Sequence, residues 1–305
     1  MLITNNKGLP TTVYNAIVKS MSKYDREGDY SVSDLIESPR IVHMKRRLWD
    51  DLVVDAANLL PAWIGNIGHA LMEDAADGMP EQRLYLDILG RKITGKADHY
   101  DFVDRSIDDY KFWKCGALKV DKKIKKGADQ LNYYRVIFKE WGYGVNQLRL
   151  LVFLTDWYSV KADNYGYPDK AQQTIQCEIR DEAQVYKEMA GAVSRLVHCE
   201  DLANDELPYC TEEERWERPA TFAVHIKGIK RAKKLCDSQA EAEQYIKDNK
   251  PPKGKKFFIE EREAEPVRCL GHCELRDFCN QHREFLSDLT KNRQKYLFTK
   301  YGIER

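Results

Sequence analysis

The stretch GKADHYDFVDRSIDDYK, residues 95–111, decides how this chain is read. Residues 92–102 loosely alternate β-branched and aromatic side chains with polar ones, the pattern of a half-buried strand. Residues 103–106 (Val-Asp-Arg-Ser) are turn material, and residues 107–113 read as the return strand. With Asp104 and Arg105 as a two-residue turn, antiparallel register sets Asp98 opposite Lys111 and Tyr100 opposite Asp109. Asp109 then lies diagonal to Asp98 on the same face, with Cβ separations of roughly 4.5–8 Å. Two carboxylates so placed can share a divalent cation beside one ammonium. A slip of one residue would scatter the group.

Upstream, PAWIGNIGHALMEDAAD (residues 61–77) reads as a helix with His69 and Glu73 four apart on one face. A lone helical histidine reads first as an ordinary packed or exposed side chain. Residues 84–89 form the expected first strand. Before them lie a short amphipathic helix over 10–23 and a second helix, capped by Ser33 and bent or restarted at Pro39. His43, Lys45, Arg46 and Arg47 make that second helix basic, as a solvated face or as a phosphate contact.

Downstream, KFWKCGALKVDKKIKK (residues 111–126) holds seven lysines and one acid. Lysines such as Lys114, Lys122 and Lys123, leaving the strand that carries Asp109 and Lys111, would attract a polyanion to that site. Residues 127–140 form a helix with Gln130 and Tyr134 four apart, and with Tyr133, Val136 and Ile137 facing the core. Residues 146–157 suit a central buried strand, residues 171–179 another strand, and residues 181–197 a helix capped by Asp181. This order points to an α/β architecture with a central mixed sheet flanked by helices.

The composition turns acidic around residue 204, so two domains are expected, 1–200 and 201–305. The second reads as a small basic β-β-α-β unit followed by RCLGHCELRDFC and a charged helix from residue 281 onward. With 49 basic and 49 acidic side chains, bulk charge names no partner. The start of the chain lacks a basic stretch followed by an apolar run, and no segment reaches the ~18–20 apolar residues of a membrane span. A cytoplasmic protein without membrane association is expected. Its eight cysteines then read as reduced thiols or metal ligands rather than disulfides.

GNIGHALMEDA (65–75), ITGKADHYD (93–101), IDDYK (107–111) and QLNYY (130–134) together resemble the ordered motifs of the RecB-like branch of the PD-(D/E)XK nuclease superfamily. That branch includes recombination nucleases and CRISPR-associated RecB-like exonucleases. The motifs cover about residues 60–140, and the layout extends over about 30–300. The resemblance implies a restriction-endonuclease-like core and a metal-dependent DNA nuclease, most simply an exonuclease on linear DNA. It makes His69, Asp98 and Asp109 ligands of Mg²⁺ or Mn²⁺, with the Tyr110 carbonyl facing the metal. It makes Lys111 the residue that orients the attacking water, and Glu73 an acidic support. Gln130 and Tyr134 become DNA contacts. Asp101, Asp104 and Asp108 stay surface carboxylates. Hard oxygen ligands and phosphodiester hydrolysis suit such an ion in their own right. A structure-specific endonuclease and a catalytically silent nucleic-acid-binding adaptor are the alternatives. No G-x-x-x-x-G-K-[ST] loop occurs, so the chain reads as a stand-alone nuclease or as a subunit working on DNA with a separate helicase or recombinase, in a phage-like setting.

Cys269-x3-Cys273-x5-Cys279 is a second constellation, dense enough to suggest a metal. Relatives in this branch carry a four-cysteine [4Fe-4S] cluster with one ligand upstream of the helix histidine. Here Ser38 stands at that place and the first gap is x3, so Cys210 is taken as fourth ligand, with His272 second and Zn²⁺ the alternative metal. Cys115, Cys177, Cys199 and Cys236 read as buried small apolar residues.

Overall fold

The structure, a computed structural model, describes residues 1–22 and 27–301, and the chain divides into two units, Met1–Leu207 and Pro208 onward. The first unit runs β1 (Leu2–Thr4), α1 (Thr11–Met21), β2 (Tyr30–Ser31), α2 (Val32–Leu35), α3 (Pro39–Leu48), β3 (Val53–Asp55), α4 (Ala56–Ala75) and β4 (Met79–Pro80). It continues with β5 (Arg83–Ile88), β6 (Arg91–Lys96), β7 (His99–Asp101), β8 (Ser106–Trp113), α5 (Asp121–Glu140), β9 (Gln147–Leu154), β10 (Gln172–Cys177) and α6 (Glu182–His198). The main sheet has five strands in the order β10-β9-β8-β7-β4, with β8 and β9 parallel and the other pairs antiparallel. A three-stranded sheet, β2-β6-β5, adjoins it in sequence. The architecture is mixed α/β.

Local chemistry explains most boundaries. Along β9 every second side chain is buried, and Leu148, Leu150, Val152 and Leu154 join Leu131, Ile137 and Phe138 of α5 and Val185, Met189 and Val193 of α6 in one core. Each such side chain contributes about 1.5–3 kcal/mol by burial. Asp181 caps α6 by accepting from the Gln184 N–H at 2.9 Å. Asp55 caps α4 in the same way through Ala57 N–H at 3.0 Å, so this helix begins five residues before Pro61, where the apolar run had suggested a start. The lysine-rich stretch likewise belongs partly to α5, which starts at Asp121. The cap of α2 is Ser31 rather than Ser33, in a reciprocal box with Asp34. Pro39 restarts the chain as α3 from its first turn. Lys23, at the end of the expected first helix, lies outside the described residues.

Two expectations for the central hairpin change. The strand expected over residues 92–102 is two strands in different sheets, β6 and β7, broken at Ala97–Asp98. The turn is four residues long, over 102–105, because the Asp101 carboxylate accepts from the N–H groups of Val103 (2.7 Å) and Asp104 (3.0 Å), and Arg105 takes a positive φ of 52°. Asp101 therefore pairs with Ser106 and His99 with Asp108, a shift of two residues from the two-residue turn. A shift of two preserves which face each side chain occupies. Asp98 stays on the face of Asp109 but moves from a diagonal to an opposite position.

The second unit holds β11 (Glu217–Arg218), β12 (Thr221–Ile226), β13 (Lys234–Cys236), α7 (Gln239–Asp248), β14 (Phe257–Arg262), β15 (Glu265–Pro266), α8 (Val267–Gly271), α9 (Asn280–Ser287) and α10 (Lys291–Tyr301). Strands β13-β12-β14 form an antiparallel sheet packed on α7 through Val224, Cys236 and Ala242. The single C-terminal helix expected from residue 281 is two helices. Among the described residues, no helix is long and apolar enough to cross a membrane.

Candidate functional site

Successive side chains of a strand point to opposite faces, so Asp108 and Asp109 of β8 serve different purposes. On one face, the ladders place His99, Asp108 and Arg149 in a single row across β7, β8 and β9. Asp108 is 3% exposed, and it accepts from Arg149 Nε at 2.6 Å and faces His99 Nδ1 at 3.2 Å. Burial would raise its pKa, yet the hydrogen bonds of His99 and Arg149 and the Arg149 charge hold it below the usual carboxylate range. Asp108 is thus a buried structural anion, not the surface carboxylate expected. Asp104 does remain exposed, paired to Arg149 at 3.0 Å.

On the other face the ladders build the site. Pro80 pairs with His99 and His99 with Asp108, so each ladder continued by one residue aligns Glu81, Asp98 and Asp109 in the next row. Glu81 turns into this row from a backbone with φ of 49°, and its N–H donates to the Asp98 carbonyl at 3.1 Å. Asp98, at the break between β6 and β7, accepts from the Tyr110 N–H at 2.6 Å. From above comes α4, which approaches β8 at Gly68, where a Cβ would meet the Phe112 ring at 2.0 Å. That contact sets the His69 ring 5.7 Å from Phe112, with Nδ1 3.3 Å from Asp98 and 3.8 Å from Glu81. The ligand atoms of His69, Glu81 and Asp98 all lie within 4.8 Å of one another.

Asp109 is 2% exposed, and Lys111 Nζ lies 2.5 Å from its Oδ2. Burial, opposed by Lys111 and reinforced by Asp98, pushes the Asp109 pKa up to about 6. Hydrogen bonding to Asp98, then to Glu81, raises His69 to about 9. Burial alone would raise Glu81, yet His69 and an ion pair with Lys96 hold it low. Lys111 also donates to Gln130 Oε1 at 3.5 Å, and Gln130 Nε2 donates to the Tyr134 hydroxyl at 2.8 Å. Tyr134 is as buried as Tyr133, at 5% and 7%, so it packs in the core and is not the DNA contact expected, and burial raises its pKa. Gly95 permits this approach, since a Cβ there would meet Ile137 at 2.7 Å and Tyr134 at 3.2 Å.

The donor set fits a hard divalent cation. Two carboxylates, Glu81 and Asp98, converge with the His69 imidazole, while Asp109 stands opposite Asp98 outside that group of three, paired to Lys111; Lys96 pairs with Glu81. His69, Asp98, Asp109, Lys111, Gln130 and Tyr134 are therefore brought together. Glu73 is not, being exposed one helical turn beyond His69. Glu81 takes the acidic place instead. Only its position just before β5 could have signalled it, and nothing in the local pattern does.

Lys114, Lys122 and Lys123 are exposed, the last 6.0 Å from the Trp113 ring. Two basic residues of α3 make structural contacts: Arg47 donates to the carbonyls of Cys199, Glu200 and Leu202, and buried His43 lies 2.9 Å from the Leu196 carbonyl.

In the second unit, Cys210 and Cys279 are buried while Cys269 and Cys273 are half-buried. Gln281 brackets the Cys210 backbone with two hydrogen bonds of 2.9 Å, and Cys279 caps α9, which carries Gln281. Burial first, then the charges of Cys273, Cys210 and Cys279, push the Cys269 thiol up to about 12. Four soft sulfurs in each other's field fit a thiophilic metal, which stabilises thiolates. His272 is exposed, its ring 5.4 Å from Trp216. Cys177, Cys199 and Cys236 are buried, whereas Cys115 is half-buried beside the Tyr167 hydroxyl at 3.6 Å.

No known protein family matches the chain by sequence, and no curated protein does. Among solved structures, the chain is similar to the crystal structure of SSO0001, at 18% identity, a TM-score of 0.39, and coverage of 60% of this chain and 83% of that one. It is also similar to a phage-related exonuclease from Haemophilus somnus 129PT, at 16% identity, a TM-score of 0.28, and coverage of 61% and 79%. At these scores neither likeness assigns a function.

Proposed function

We propose that this chain is a metal-dependent DNA nuclease with a restriction-endonuclease-like core, acting as an exonuclease on linear DNA. The observation that carries this reading is the row of Glu81, Asp98 and Asp109, with His69 above it and Lys111 on the same face. Bound Mg²⁺ or Mn²⁺ would supply Lewis acidity toward the phosphate and a lowered pKa for water. His69, Asp98 and Asp109 would hold it, with Glu81 completing the set. Lys111 is the ammonium paired with Asp109. It can hold the attacking water and offset the negative charge that grows on the phosphate oxygens as the P–O bond forms. Gln130 positions Lys111 from α5, and Tyr134 in turn fixes Gln130. Exposed Lys114, Lys122 and Lys123 would attract the DNA backbone. A separate helicase or recombinase would present the strand.

The test is degradation of linear duplex DNA with Mg²⁺ or Mn²⁺. Asp109→Ala and Lys111→Ala should each abolish it, and closed circular DNA should resist. Intact cleavage in both variants would overturn the reading, and cutting of the circle would make the enzyme an endonuclease.

The same reading gives Cys210, Cys269, Cys273 and Cys279 to an iron–sulfur cluster rather than zinc. Zn²⁺ on the same four sulfurs is the alternative, since a structural zinc also takes four thiolates. Iron and zinc analysis of anaerobically purified protein distinguishes them.

A further inference from the structure

Two lysine-rich loops of the second unit have no part in the chemistry above. Residues 227–234, KGIKRAKK, contain five cations, and residues 250–256, KPPKGKK, contain four, with no acid in either. They are separated in sequence by β13 and α7 yet meet in space. Antiparallel pairing of β12 with β14 sets Ile226 opposite Phe257, and Lys227 N–H donates to the Lys256 carbonyl at 3.0 Å. One loop leaves that end of the sheet where the other enters it.

Both loops are held by turns. Ile229 N–H donates to the Ile226 carbonyl at 2.9 Å, and Lys255 N–H donates to the Pro252 carbonyl at 3.0 Å. Gly228 and Gly254 supply the positive φ values of 86° and 78° that these turns need. All nine cations are exposed. Among the described residues, only Lys234 of the nine has a carboxylate partner, Glu241 at 3.5 Å. In a chain of zero formal charge, such a concentration is not a consequence of composition. It raises self-repulsion that a bound polyanion would relieve. Beside the loops Phe258 is 48% exposed and stacked on His225 at 5.3 Å, an aromatic face open to a base.

We propose that this end of the β13-β12-β14 sheet is a docking surface for a nucleic-acid backbone, contributed by both loops and flanked by Phe258. The choice of nucleic acid among polyanions rests on the nuclease reading. The loops bind phosphates without selecting bases, since lysines on turns carry no base-reading geometry. Their role is to hold substrate, not to cleave it.

The test uses the full chain with a fluorescent 30-base-pair duplex in EDTA, read by anisotropy across a salt series. A variant combining Lys230→Gln, Arg231→Gln, Lys233→Gln, Lys253→Gln, Lys255→Gln and Lys256→Gln should bind at least tenfold more weakly. The slope of log affinity against log salt should fall by about 0.9 for each phosphate that the variant no longer neutralises. Its hydrolysis of bis(p-nitrophenyl) phosphate with Mn²⁺, a substrate too small to span a docking surface, should equal that of the parent. Affinity and slope within twofold of the parent, in a variant with unchanged melting, would overturn the inference. So would an effect confined to vesicles of anionic lipid. Parent protein that binds DNA through the loops but hydrolyses nothing would sink the nuclease reading and leave the docking surface standing.

Discussion

Nδ1 of His69 lies 3.3 Å from Oδ1 of Asp98, which ties α4 to the break between β6 and β7. The ring's pKa is raised to about 9, so it is an imidazolium below that pH. A metal ion that takes its nitrogen must displace this proton. Asp109, raised to about 6, is ionised above that value. From about pH 6 to pH 9, Mn²⁺ affinity should therefore rise about tenfold per pH unit, with roughly one proton released per ion. Calorimetry in two buffers of different ionisation heat reads the proton count. His69→Ala should flatten the slope, and a flat slope in the parent would remove His69 from the ligand set.

Glu81 Oε1 lies 3.8 Å from His69 Nδ1 and faces the same ligand set. Glu81→Gln keeps its shape and removes its charge. Mn²⁺ affinity should fall by about tenfold or more, with melting little changed. Binding within twofold of the parent would make Glu81 only the partner of Lys96.

Gly68 is where α4 touches Phe112. Alanine is the better helix former by about 1 kcal/mol, so a neutral site would be stabilised by Gly68→Ala. The 2.0 Å clash reverses that sign and should cost about 1–3 kcal/mol while lifting His69 from Asp98. Chemical denaturation and Mn²⁺ titration should both report a loss, and Phe112→Ala should recover part of it. A stabilised Gly68→Ala protein with unchanged affinity would refute this account of how the helix is seated.

Arg149 compensates Asp108, whose side chain is 4% exposed, while Arg149 itself is 19% exposed. Arg149→Met leaves a buried anion with His99 alone, at a cost of about 3 kcal/mol. Melting should drop by about 10 °C. Adding Asp108→Asn should recover much of the loss. A drop under 2 °C would mean that His99 alone suffices.

Local pattern in the sequence was enough to find the strand and helix periods, the cap at Asp181, and the spacings Asp109-x-Lys111 and Gln130-x3-Tyr134. These are written over a few residues, and alternation of faces along a strand or turn of a helix follows from them directly. Tertiary structure alone decided three matters. Pairing of β7 with β8 fixed the register that sets Asp98 across from Asp109. Pairing of β4 with β7 brought in Glu81, seventeen residues before Asp98, from a loop with no signature of its own. Pairing of β8 with β9 laid Arg149 beside Asp108 and turned a carboxylate that reads as surface into a buried structural charge. Each depends on a backbone ladder between distant segments, whose partners a local pattern does not name, and one residue of slip in any of them would turn its side chains to the other face.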